Sequence, residues 1–496
     1  MPYFLGIDLG SSSVKLSILD GSLGRSIAQV TYPNEEMVIS AAQPGWAEQD
    51  PNLWWECIVQ GCRQLAQKND LTKIEAIGIS YQMHGLVVVD VEGKPLRPAI
   101  IWCDSRAVEI GQKAYLKLNK DYLHNHLLNS PGNFTASKLA WVKANEPDIF
   151  EKVDKMMLPG DFIAYKLTGQ IQTTSGGLSE GTLWDFKEDR ISKELLKHYG
   201  LEEGMIPEVV PAIGVQSSVS KEAAQLLGLK AGGSICYRAG DQPNNAFSLN
   251  VLNPGEVAAT AGTSAVIYAV TDKLAGDHQQ RINTFQHVTN TSEAIRNGLL
   301  LCINGSGISY NWIKKLLRDL DYPELNDLAD SAPAGADGLL FYPFGNGAER
   351  LFQNQTLGAQ FVGLDFNRHG KAQMIRALQE GVVFSMKYGL EVIEHLGGEI
   401  KTIRAGKANL FLSEVFRQAF VNTTQIPLEL YDTDGAEGAA RGAALGAGFY
   451  KDDAEAFASL TLIERMEPDS GKIKEYEPCY HNWVSYLEKT ILSNKI

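Results

Sequence analysis

A short pattern near the N-terminus returns about half the chain later, and that recurrence limits the fold more than any other feature. Gly10-Ser11-Ser12-Ser13-Val14 reads glycine, hydroxyl, serine, small residue, valine, and Gly262-Thr263-Ser264-Ala265-Val266 repeats it. Each copy follows a short apolar run, Tyr3 to Asp8 and Glu256 to Thr260. Each precedes another, Val14 to Leu19 and Val266 to Val270, which gives strand, tight polar turn and strand twice over. A unit duplicated across the chain predicts two similar lobes with a cleft between them. At 496 residues the length admits two large domains or about three smaller ones.

Between the hairpins the periodicity alternates. A helix is expected over Pro51 to Gln67 with Asp50 as its cap and Pro51 in its first turn. Strands are expected at 74–80, 86–90, 98–102, 235–239 and 402–405, and helices at 371–396, 412–423 and 437–450. Strands followed by helices in both halves make the class α/β. The last helix holds Gly438-Ala439-Ala440-Arg441-Gly442-Ala443-Ala444-Leu445-Gly446, so small that another element must pack closely on it. A turn at Asn253-Pro254-Gly255 puts the lobe boundary near 246–254.

Composition excludes several classes. Asp and Glu number 59 against 45 Lys and Arg, a net charge of −14, which opposes a general nucleic-acid binder or a basic membrane-surface protein. An anionic substrate would need local donors working against that field. Six scattered cysteines without a C-x-x-C pair read as mostly buried thiols of a reducing, cytoplasmic compartment. No leader-like start and no 18-residue uncharged apolar stretch appear.

Four constellations carry chemistry. Turns of small and hydroxyl residues aim backbone N–H groups and hydroxyls at one point, an arrangement that cradles phosphate. Asp8 in the first hairpin corresponds to Thr260 in the second, so one carboxylate faces that point, where it makes sense through a hydrated divalent cation. Asp241 ends an apolar strand, where open α/β sheets place active groups; it is either a general base for a substrate hydroxyl or the cap of a helix that holds Pro243. Gln82-Met83-His84-Gly85 joins two strands and offers a sugar hydroxyl a donor and an acceptor, unless His84 is only a surface turn residue. Trp46, Trp54 and Trp55 suit core packing or sugar stacking equally. No G-x-x-x-x-G-K-[ST] loop is present, so the phosphate site is not a P-loop.

Taken in order, Gly6-Ile7-Asp8-Leu9-Gly10-Ser11-Ser12-Ser13, Gly45-Trp46-Ala47-Glu48-Gln49-Asp50-Pro51, Gln82-Met83-His84-Gly85, Ile101-Trp102-Cys103-Asp104-Ser105-Arg106, Gly240-Asp241 and Gly262-Thr263-Ser264 resemble the FGGY carbohydrate kinases from residue 3 to about 450. The resemblance implies two actin-like, RNase H-type ATPase lobes with an active-site cleft between them. Residues 1–246 would form the sugar-binding lobe with the catalytic base, and residues 247–496 the nucleotide lobe. It implies ATP and Mg²⁺, with Asp8 positioning the metal through water and Asp241 as a second candidate ligand. Ser11, Ser12 and Ser13 would face the phosphates, and Gly262 and Thr263 would hold phosphate oxygens. Met83 and His84 would bind the ketose, and Asp104 and Arg106 would line or support that pocket. Asp241 would take the proton of the attacking hydroxyl, with Gln242 beside it. Gly406 and Asn409 would meet the adenine.

Three departures from the family pattern stand out. Gln242 replaces an Asn common in ketose members. Ala405-Gly406-Lys407-Ala408-Asn409 replaces a Gly-Gly-Gly-Ala run, and Lys407 must point away or meet a phosphate. Phe344 to Arg350 lengthens a Gly-Glu-Arg turn, with Glu349–Arg350 expected as an ion pair. The leading expectation is ATP-dependent phosphorylation of D-xylulose at O5. Glycerol kinases, which place Arg-Glu at the Gln82–Gly85 turn, and sedoheptulose kinases, which share that turn, are the rivals. A non-catalytic nucleotide- or sugar-binding scaffold of the same frame is the reading from another class. Related kinases are often dimers, which makes a homodimer a candidate.

Overall fold

Strand Tyr3–Leu9 runs antiparallel to Val14–Asp20 with Leu9 opposite Val14 and Asp8 opposite Lys15, leaving residues 10–13 as a tight turn closed by Gly10 N donating to Ser13 O at 3.0 Å. Strand Glu256–Ala261 repeats this against Ala265–Thr271, with Thr260 opposite Val266. Both hairpins sit in the same surroundings. In the first sheet the order is Arg25–Tyr32, Val14–Asp20, Tyr3–Leu9, Ile74–Tyr81, Ser234–Gly240. In the second it is Asn297–Ile303, Ala265–Thr271, Glu256–Ala261, Thr402–Gly406, Leu428–Tyr431. In each set the first three strands pair antiparallel and the last two add in parallel. Parallel neighbours need a crossover, and helices Pro51–Ala66 and Lys371–Gly397 supply it. The duplicated order is that of two RNase H-type lobes on an actin-like ATPase frame. Edge strands Ile213–Ser218, Asn283–Gln286 and Leu462–Met466 widen the sheets. The computed structural model describes residues 2–318, 320–353 and 355–493; the side chains of Gly347, Ala348 and Glu349 lie outside that description.

Each lobe's last parallel strand leads into an inner helix, Asp241–Ser248 in the first and Gly435–Gly446 in the second. The second helix packs on the first lobe's sheet. A Cβ on Gly6 would lie 1.8 Å from Ala436 O, and one on Gly78 would lie 1.9 Å from Ala439 O. Ala439, Ala440, Ala443 and Ala444 share a core with Phe4, Ala76, Tyr237 and Phe247. The small residues therefore let a second-lobe backbone lie directly on first-lobe strands. Gly438 faces Ser248 of the other inner helix, where a Cβ would come within 2.5 Å of the serine Cβ. The helix starts at Gly435, capped by Asp434, and stops at Gly446, shorter at its C-terminal end than its periodicity predicts. Helix Glu414–Thr424 likewise starts after Leu412, because Ser413 caps it. The expected division at 246/247 falls within the helix Asp241–Ser248.

Local expectations elsewhere meet the structure closely. Asp50 accepts Asn52 N at 2.9 Å and Pro51 opens the helix. Trp54 and Trp55 belong to the first lobe's core. Cys57, Cys62 and Cys236 are buried, Cys302 and Cys479 half-buried, and Cys103 exposed. Among the described residues no helix is long and apolar enough to cross a membrane.

Candidate active site

The turn Gln82-Met83-His84-Gly85 follows strand Ile74–Tyr81. His84 adopts φ 61°, a left-handed conformation rare for a residue with a Cβ and concentrated at functional sites. Its Nδ1 lies 3.0 Å from the Glu180 carbonyl oxygen. A carbonyl only accepts, so Nδ1 carries the proton and Nε2 remains an acceptor. Burial, with Lys138 nearby, lowers the imidazole to about 3, so the ring is neutral. Phe134 and Phe285 pack on it with centroids at 4.7 and 5.3 Å. His84 is thus a clamped acceptor rather than a surface residue. The clamp continues below it, where the fully buried Lys138 donates to His84 O at 2.7 Å and to Ile101 O at 3.0 Å. Desolvation brings this ammonium down to about 7.

Asp104 and Arg106 are support, not lining. Asp104 is fully buried and accepts Ala47 N at 2.6 Å and Arg106 Nε at 2.9 Å. Arg106 also reaches Glu48 at 2.7 Å, and its guanidinium lies 3.8 Å from the Trp46 ring centroid. Together they hold residues 46–48 against residues 101–106. Arg350 comes from the second lobe, donates to Gln280 O at 2.8 Å and lies 5.6 Å from the Phe134 ring of the first. Burial lowers it to about 10. The expected Glu349–Arg350 pair lies outside the described residues.

Asp241 occupies the first turn of its helix, and the cap position belongs to Gly240. Its carboxyl meets the Gln242 backbone N–H and side chain at the helix start. Burial, then the neighbouring Asp8, raises it to about 7. Gln242, alongside, has its Oε1 buried without a partner. Asp8 is raised too, by burial, although Ser80 Oγ donates to its Oδ1 at 2.8 Å and Lys15 lies near. Asp434 adds a third negative charge near Asp8, and Lys15 Nζ stands 3.5 Å from it. Gly435 backs Asp8 so closely that a Cβ would sit 2.4 Å from Oδ2.

These residues fit a hydrated divalent cation. Two raised carboxylates beside each other would be relieved by one. No group of three or more His, Cys, Asp or Glu among the described residues is arranged as a metal cage, so most ligands would be water and phosphate, as Mg²⁺ prefers.

On the phosphate side, Ser11 is fixed by Gln49 Nε2 donating to its carbonyl at 2.7 Å and by Trp102 Nε1 donating to its hydroxyl at 3.4 Å. Ser12 is exposed and Ser13 half-buried. In the second lobe Gly307 N donates to Gly262 O at 2.8 Å and Ile308 N to Thr263 O at 3.2 Å, which docks helix Ser306–Leu316 on the turn and leaves Thr263 exposed. Asn409, at φ 55°, brings its Nδ2 to 3.4 Å from the place a Gly262 Cβ would take. Gly406 ends its strand nearby, and Lys407 is exposed with its N–H on Tyr431 O at 3.1 Å. A groove of about 480 Å³ lined by Gly305, Ile308, Trp312 and Pro343 adjoins this turn.

Sequence reading missed Lys138, Glu180 and Asp434, and named Arg350 only as half of an ion pair. Asp434 had a signal, an Asp three residues before Glu437 at a helix start. Lys138 and Glu180 act through neighbours far along the chain and left none.

Paired RNase H-type lobes, inner helices and two carboxylates at their junction define an ATPase of the actin-like class. Within it, the chain belongs to the FGGY family of carbohydrate kinases: the family's N-terminal domain matches residues 3–248 and its C-terminal domain residues 257–450. It is a carbohydrate phosphotransferase of a family that uses ATP with a divalent metal. The chain is similar to the xylulose kinase of Escherichia coli K12, 28% identical over 482 residues and 96% of each chain. It is also similar to a solved sugar kinase from Brucella ovis, titled a "xyloylose kinase" (25% identical, TM-score 0.88, 98% of this chain and 99% of that one). A gluconate kinase from Lactobacillus acidophilus shares the fold at 23% identity and TM-score 0.89, over 100% of both chains.

Proposed function

We propose that this protein transfers the γ-phosphoryl group of ATP to O5 of D-xylulose, giving D-xylulose 5-phosphate and ADP. The observation that carries the reading is Asp241: a buried carboxyl in the first turn of an inner helix, beside Asp8 and raised by burial to about 7. It accepts the O5 proton as O5 attacks the γ-phosphorus and the bond to the β-bridging oxygen breaks. Phosphoryl transfer asks a protein mainly for positioning and charge neutralisation, with one group orienting the nucleophile. Asp8 would hold Mg²⁺ through water, and that ion would offset charge on the phosphates. Met83 and the neutral His84, with Nε2 accepting from a hydroxyl, would seat the ketose, and Gln242 would orient it beside Asp241. Ser11, Ser12, Ser13, Gly262 and Thr263 would surround the phosphates. Gly406 and Asn409 would meet the base, with the sugar lobe ending and the nucleotide lobe beginning near residues 246–247.

The choice of D-xylulose rests on the xylulose kinase relatives and on the Gln82–Gly85 turn. Aldonates, glycerol and sedoheptulose are the competing acceptors. A coupled ADP-release assay over ketoses, glycerol and gluconate decides. The highest kcat/KM is expected with D-xylulose, and a strong preference for glycerol or gluconate would overturn the choice. ATP consumption at background with every alcohol would favour a non-catalytic binder instead.

A further inference from the structure

Glu180 ends the short helix Ser175–Glu180 and is 2% exposed. Its backbone and its side chain reach different halves of the acceptor site. The carbonyl oxygen receives the His84 Nδ1 hydrogen bond at 3.0 Å. The carboxyl reaches the catalytic corner: a Cβ built on Gly240 would lie 2.7 Å from Glu180 Oε2 and 2.6 Å from Met83 Cγ. Glu180, Met83 and Gly240 therefore converge on the residue before Asp241.

Both carboxyl oxygens are buried, and the equally buried hydroxyl of Tyr81 is the side-chain hydrogen-bonding group beside them. Burial raises this carboxyl well above the usual range, hydrogen bonding with Tyr81 offsets part of that rise, and the Asp241 charge adds to it. Glu180, Met83, Gly240, Pro243 and Phe285 share the lining of a cavity of about 10 Å³.

We propose that Glu180 is a positioning residue coupling the two turns of the acceptor site: its carbonyl sets the His84 ring, and its buried carboxyl, packed beside Gly240 and Met83, holds the Gly240–Asp241 corner in place. Glu180 touches neither reactant in this scheme. It acts by fixing where Asp241 meets the hydroxyl, and a displacement of about 1 Å at such a corner can cost on the order of 100-fold in rate. The inference rests on the kinase reading for its readout.

The test compares E180Q and E180L in the full chain, with kcat, the KM of each substrate and the melting temperature measured for both. Gln keeps a neutral donor and acceptor and should retain kcat within about threefold. Leu removes both and should lower kcat about 10–100-fold with the ATP KM within twofold. Should E180L fail to fold, E180A takes its place; waters can refill that larger space, so its kcat should fall between those of E180Q and E180L. A folded E180L or E180A with kcat within twofold of wild type overturns the proposal, and so does an E180Q as slow as E180L. A wild-type chain that phosphorylates no alcohol overturns the kinase reading instead; an active wild type with an unimpaired E180L overturns only the role of Glu180.

Discussion

At the residue scale the proposed mechanism turns on Asp241, a buried carboxyl at the start of its helix. Gly240 caps the helix, Pro243 needs no N–H partner there, and the carboxylate faces Asp8. Asp241→Asn preserves shape and removes the base. It should lower kcat by about 10²–10⁴, or roughly 3–5 kcal/mol of transition-state stabilisation, with the sugar KM little changed. Near-normal turnover by a folded D241N protein would contradict the mechanism. The raised affinity for a proton has its own signature. Below about 7 the ligand-free carboxyl is protonated and cannot accept, so kcat/KM should climb tenfold per pH unit and level off near 7. A flat profile from pH 5.5 to 7.5 would refute that assignment. The sign for stability is opposite. A carboxyl with a raised folded-state pKa holds its proton more tightly than the unfolded chain does, so Asp241 makes the ligand-free fold less stable as pH rises from the ordinary carboxylate range to about 7.

At the element scale the small-residue helix Gly435–Gly446 shows what sequence does and does not disclose. Its composition required a close partner, and the partner is the first lobe's sheet, reached across most of the chain's length. Gly78→Val puts a branched side chain where even a Cβ meets Ala439 O at 1.9 Å. Overpacking of this kind costs about 1–3 kcal/mol or more, and a lower melting temperature should be accompanied by lost activity, because the same helix begins beside Asp8. An unchanged melting temperature would show that the helix can shift without cost. The hairpins, Asp8, Asp241 and the His84 turn were legible because each is a local pattern of turn residues and strand ends. Glu180 and Lys138 were not, because their roles come from pairings such as Lys138 with His84 O and Ile101 O, across 54 and 37 positions. Asp104 and Arg106 were found by motif, yet only their burial and mutual pairing separate supporting the pocket from lining it.

At the scale of the whole molecule the lobes are joined by hydrogen bonds beside the His84 turn. Strand Asn283–Gln286 is an edge of the second sheet, yet it bonds to the first lobe. The buried Asn129 side chain donates to Thr284 O at 2.6 Å and accepts from Thr284 N at 2.9 Å, and Gln286 N donates to Ser179 Oγ at 2.9 Å. Between these two fastenings lies Phe285, whose ring packs on both His84 and Phe134. The second lobe therefore helps to hold the His84 turn, and under the proposed function closing the cleft over ATP would be felt there. Asn129→Ala leaves two buried backbone groups of Thr284 without their partners, at about 1–3 kcal/mol of stability. Because Phe285 loses its anchor while the phosphate turns keep theirs, the KM for the sugar should rise several-fold more than the KM for ATP. Equal increases in both constants would mean that the seam governs closure as a whole. A normal sugar KM alongside a lowered melting temperature would mean that the strand only braces the lobes and takes no part in seating the sugar.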